Sequence, residues 1–172
     1  MCRVSPSVSR RSVLRGGLAV TAGVTLAGVS ACGDEGPSAE QLTAEALLPL
    51  ARTAQDDSDT ARTLIPAHAD YAAALAVVAD QRAAHGLALR EEITRLHRDT
   101  AKQLEAAASS STTSVAPTPG SPAVTSVDGF RGQLRLSARQ AHDAAIVRSG
   151  YPAGLAGSVA ASVNAMVEVQ LA

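Results

Sequence analysis

The chain has 172 residues with 15 Lys or Arg, 16 Asp or Glu and 4 His, a formal charge of −1. Four of the arginines precede Cys32 and every acid follows it, leaving eleven bases against sixteen acids and a charge of −5 beyond that residue. This excludes the basic footprint that a nucleic-acid partner requires. The two cysteines, at positions 2 and 32, both lie in the first 32 residues, so no thiol follows for a disulfide framework, a zinc site or a nucleophile in the rest of the chain.

The first 31 residues read as a cleaved export signal. Met1 to Arg15 carries four arginines and no acid, Gly16 to Ala31 carries no charge, and small residues follow. The apolar run Leu18 to Ala31 would span only about 21 Å as a helix, short of a ~30 Å hydrocarbon core. A permanent transmembrane helix is therefore not expected. Ser9-Arg10-Arg11-Ser12-Val13-Leu14-Arg15 resembles the twin-arginine export motif, with Val13 where Phe is usual, so Arg10 and Arg11 are the candidate export residues. Export through the general secretory route stays open beside it. Val29-Ser30-Ala31-Cys32 resembles a bacterial lipobox, which implies cleavage before Cys32 and a diacylglyceryl group on its thiol. Two or three acyl chains anchor firmly at ~0.8 kcal/mol per buried methylene. The expected partner is the outer face of the cell membrane, with residues 32–37 as lipidated cysteine and spacer.

Residues 38–172 are expected to fold as an all-α bundle. Apart from Tyr71, Phe130 and Tyr151 the apolar residues are mostly Ala, Leu and Val at helical spacing. Ser38 and Gln41 form a candidate capping box. Leu42, Ala46, Leu50 and Thr53 then mark one stripe, and Pro49 is expected to kink the first helix. Asp56-Asp57-Ser58-Asp59 reads either as a turn or as the acidic surface of a longer helix, with the turn placed near Ile65-Pro66. The second helix runs from Ala67 to about Ala107 through Tyr71, Leu75, Val78, Leu89, Ile93, Leu96 and Leu104. The Ser/Thr/Pro-rich segment 108–125 is a candidate mobile linker. A third helix presents Val127, Phe130, Leu134, Ala138, Ala141 and Ala145. After a turn at Ser149-Gly150-Tyr151-Pro152, a fourth presents Leu155, Val159, Val163 and Met166.

Two short turns and one long middle connection match a four-helix, ferritin-like arrangement with a crossover between helices 2 and 3, although two hairpins without the crossover fit as well. The eighteen linker residues reach up to about 59 Å, enough to run the length of a bundle. Through its leader, Ala83-Ala84-His85 and Ser149-Gly150-Tyr151-Pro152-Ala153-Gly154-Leu155, the chain resembles alanine-rich actinobacterial lipoproteins with a ferritin-like domain of unknown function. The resemblance implies an exported, lipid-anchored bundle.

A di-iron bundle needs inward carboxylates and Glu-x-x-His pairs. Ile65, Arg82, Thr94 and Arg139 stand three residues before His68, His85, His97 and His142, so that chemistry and its cofactor are not expected. An alternative metal site would use His85 and His142, at the edges of their stripes. His97 reads as solvated and His68 as first-turn. Arg82 falls inside the apolar stripe of the second helix, where an unpaired guanidinium would cost several kcal/mol. Glu45 is the candidate partner in a buried ion pair, the rival being an anion site inside the bundle. Gly150, Gly154, Gly157, Ser158, Ala160 and Ala161 give the last helix a small-residue surface for close packing or for a partner. No phosphate loop, nucleophile elbow or metalloprotease motif is present, and a non-enzymatic binding or interaction module at the cell envelope is the reading that results.

Overall fold

A computed structural model describes residues 36–111 and 124–172, so Arg10, Arg11, Val29, Ser30, Ala31 and Cys32 lie outside the described residues. Gly36–Ala172 forms one compact unit. Its ordered elements are all helical: α1 (Ala39–Leu64), α2 (Ala72–Leu96), α3 (Arg98–Ser111), α4 (Val127–Ile146) and α5 (Gly150–Ala165), closed by a π-helical turn at Met166–Gln170.

Ser38 starts α1 by accepting the Gln41 amide at 3.1 Å, but Gln41 turns its own side chain forward to Glu45 (2.8 Å), so the reciprocal half of the capping box is not made. Pro49 sits exposed within α1, which continues through Asp56–Asp59 and ends at Leu64. The buried face of α1 is Ala44, Leu47, Leu48, Leu50, Ala51, Ala54, Ala61 and Leu64. Of the expected stripe, Leu50 is buried, Ala46 and Thr53 are half-buried and Leu42 is exposed. Because α1 packs against both α2 and α4, it needs two inward faces, and alanines supply much of the contact that a search for leucines overlooks.

Two short 3-10 turns, Ile65–Ala67 and Ala69–Tyr71, reverse the chain into α2. Gly86 of α2 lies close over α1: a Cβ there would stand 3.7 Å from Ala54 Cβ. Leu75, Val78, Leu89 and Ile93 are fully buried, as their spacing predicts. The expected continuous second helix breaks at His97, whose backbone is extended (φ −156°, ψ 104°). There the imidazole Nδ1 accepts the Thr100 amide at 3.2 Å and caps α3. His97 is thus a structural cap, half-buried against a buried Thr100, and not a solvated side chain. An imidazole cap leaves no proline or glycine for a sequence reader to find.

In α4, Val127, Phe130, Leu134, Ala138 and Ala141 are buried, and in α5 Val159 and Val163 are buried, followed by Met166. Gly150, the one described glycine with positive φ (66°), makes the reversal between α4 and α5. The small residues of α5 divide. Gly157 faces Ala145, whose Cβ would stand 3.8 Å from a Cβ added at the glycine, and Ala160 is buried, while Gly150, Gly154, Ser158 and Ala161 are exposed.

The helices pack as two antiparallel hairpins, α1 with α2 and α4 with α5, joined chiefly through α1 and α4. His68, at the α1–α2 turn, bonds the Thr125 carbonyl just before α4 (3.2 Å). Ile146, at the far end of α4, shares a cavity with Ala39 at the start of α1. Hence α2 and α4 run parallel. At the end where α4 begins, Arg131 lies over the Tyr71 ring (5.5 Å to its centroid) and donates to the Leu171 carbonyl.

Candidate functional site

The most polar place inside the bundle is centred on Asp57, which is fully buried. One α1 turn carries Asp57 and Ser58 inward together, toward the α2 turn carrying Ala79 and Arg82. Ser58 Oγ donates to the Ala79 carbonyl at 2.8 Å, which fixes the register of α1 on α2. Arg82 Nε and Nη2 then meet Asp57 Oδ2 at 3.0 and 2.8 Å. From α4, Gln133 Nε2 donates to Asp57 Oδ1 at 2.6 Å and Ser137 Oγ to Oδ2 at 2.8 Å. The carboxylate thus accepts from two further helices at once, giving the charge-assisted bonds that a buried ion needs to offset its desolvation.

The partner of Arg82 is therefore Asp57, not Glu45. Glu45 is only partly buried and is held by Gln41, three helical turns before Asp57. Burial pushes the Arg82 guanidinium below its ordinary value, and Asp57 pulls it back up. The third contact of Arg82 is His85, whose Nδ1 lies 3.2 Å from Nη1. Since a guanidinium only donates, Nδ1 must accept, which requires the neutral ring with its proton on Nε2. Desolvation first, and the Arg82 charge second, lower His85 to about 4.

The two histidines of the metal alternative do not come together as a site. His85 spends its Nδ1 on a cation, while His142 is exposed on α4. Among the described residues no group of three or more His, Cys, Asp or Glu is placed to hold a metal ion. A guanidinium against the only inward imidazole of that pair disfavours a cation there on Coulomb grounds.

A second feature lies at the end of the bundle where α1 begins. An open cavity of about 550 Å³ is bounded by Ala39, Glu40 and Thr43 of α1, Arg95 and Leu96 of α2, and Ile146, Val147, Arg148, Ser149 and Pro152 around the α4–α5 connection. Arg95 Nε and Nη2 are each 2.7 Å from the buried Glu92 carboxylate. Arg148 also lines the cavity, and its Nε is buried without a hydrogen-bond partner among the described residues. Neither arginine stood out in the sequence, where neither interrupts an apolar stripe as Arg82 does; Glu92-x-x-Arg95 spacing was the one available signal.

Comparison with protein-family models, with curated proteins and with solved structures gave no match to the chain. No helix among the described residues is long and apolar enough to cross a membrane.

Proposed function

We propose that this chain is a membrane-tethered, extracytoplasmic lipoprotein whose helical unit serves binding or interaction at the cell envelope, without di-iron chemistry. The observation that carries the reading is Val29-Ser30-Ala31-Cys32 at the end of an uncharged run preceded by Arg10-Arg11. A thiol at that place is where a diacylglyceryl group would be added, and no other cysteine follows it to suit a thiol chemistry. The parallel course of α2 and α4 supports a ferritin-like topology with a crossover, in keeping with the actinobacterial family that the leader and the motifs resemble. The interior of the unit supports a structural use of charge: Asp57, Arg82, Gln133 and Ser137 satisfy one another, and Glu92, the other buried carboxylate among the described residues, is paired with Arg95.

Fractionation of cells producing the full chain tests the reading. The wild-type protein should sediment with membranes and resist carbonate or high-salt extraction. Cys32→Ser should block acylation and leave the leader uncleaved, so that the smaller mature band disappears. Equal processing and identical extraction of both proteins would remove Cys32 from the account.

A further inference from the structure

The arginine-lined cavity and the apolar tip beside it point to a membrane-facing end of the bundle. We infer that this end docks on the bilayer, with the phosphate of an anionic lipid headgroup between Arg95 and Arg148. The inference rests on the lipid-anchored reading, because the chain enters α1 at this end, and the seven residue steps from Cys32 to Ala39 can span no more than about 25 Å. An anchored bundle therefore keeps its α1 end within that distance of the headgroups.

Three observations identify the occupant. Ile146, Val147 and Tyr151, exposed by 67%, 69% and 65%, project from the α4–α5 connection, and Leu42 adds 52% from α1. Water is a poor environment for such a group, whereas the interface suits an aliphatic tip with a tyrosine whose hydroxyl stays wet. Second, two guanidiniums line the cavity directly behind the tip. Arg95 uses Nε and Nη2 on Glu92, which leaves its Nη1 for a ligand, and the buried Nε of Arg148 has no described partner. Glu40 is the one carboxylate that lines this cavity, and Glu92 is already neutralised. Third, α5 starts here without a side-chain cap, with Ser149 and Pro152 lining the cavity, and the positive end of a helix dipole favours negative charge. Arginine tolerates this setting because its stem packs on apolar neighbours while its planar head binds phosphate oxygens.

The test uses the mature chain from position 32 with Cys32→Ser, so binding does not depend on acylation and a failure of the anchor reading is seen separately in the fractionation above. Cosedimentation is measured with vesicles of phosphatidylcholine alone and of phosphatidylcholine mixed equally with phosphatidylglycerol. The chain should bind the mixed vesicles and lose binding in high salt. Arg95→Gln with Arg148→Gln should weaken it about thirtyfold, the effect of two basic residues at an anionic surface. Val147→Asp, at the exposed C-cap of α4 with its side chain outside the core, should weaken it as well, with the helical circular dichroism spectrum retained. Equal binding to both vesicle types, no binding to either, or affinities unmoved by both variants would overturn the inference.

Discussion

Asp57→Ala is expected to destabilise the protein by about 3–5 kcal/mol, because it strands a buried guanidinium and removes the acceptor of Gln133 and Ser137. Against a typical total of about 5–15 kcal/mol, that is a large fraction of the stability. In a thermal melt it corresponds to a fall of roughly 10–20 °C for a unit of this size. Asp57→Leu combined with Arg82→Met should recover most of the loss, since an apolar pair of similar volume carries no desolvation cost. Glu45→Ala provides the contrast. With Glu45 partly buried and bonded only to Gln41, the change should stay within about 0.5 kcal/mol. Urea unfolding of the three variants beside the wild type measures all these terms. A loss below about 1 kcal/mol for Asp57→Ala would place the pair in the range of solvated ion pairs and contradict its burial.

Acid should weaken the wild-type protein more than His85→Gln between pH 6.5 and 4. The folded chain holds His85 at about 4, below its ordinary 6.5, through burial and the neighbouring Arg82 charge. In that window the unfolded chain therefore takes up a proton that the folded chain refuses. Stability rises with pH wherever the unfolded state binds more protons, so the contribution of this histidine is complete above pH 6.5 and declines as pH falls toward 4. Glutamine keeps an acceptor for Arg82 Nη1 through its carbonyl oxygen and has nothing to titrate. The difference between the two urea midpoints should be smallest near pH 4 and largest above pH 6.5. A difference that does not change with pH would mean that His85 is free to protonate in the folded protein.

Much of the fold was legible because alanine, leucine and valine recur with helical spacing and because proline and glycine mark the turns. Leu75, Val78, Leu89 and Ile93 on α2, and Phe130, Leu134 and Ala138 on α4, are buried as that spacing predicts. The misreadings each have a physical cause. The inward face of α1 was only partly read, Leu50 correctly and Leu42 not, because a helix packed on two neighbours has no single stripe and Ala44, Ala51 and Ala54 are buried beside its leucines. The interruption at His97 is made by an imidazole cap on Thr100, which leaves no helix-breaking residue in the sequence.

The candidate site was half legible. Arg82 announced itself by interrupting an apolar stripe. Its partner did not, because Asp57 sits in the run Asp56-Asp57-Ser58-Asp59, where four polar residues in succession look like surface. Helical geometry sends two of them inward and two outward: Asp57 and Ser58 are buried, Asp56 and Asp59 exposed. An inward Ser58 was the available clue, since a hydroxyl able to donate to a neighbouring helix marks a face that can be buried. The pairing of Arg95 and Arg148 depends on tertiary placement across four helix ends, which spacing along the chain does not encode.

The central claim, a lipid anchor at Cys32, is tested most directly by the mass of the N-terminal peptide of the mature protein, isolated from membranes of a producing bacterium. The account predicts a chain beginning at Cys32, with a diacylglyceryl thioether on that residue. A mature chain that begins elsewhere, or one that begins at Cys32 with an unmodified thiol, would contradict it.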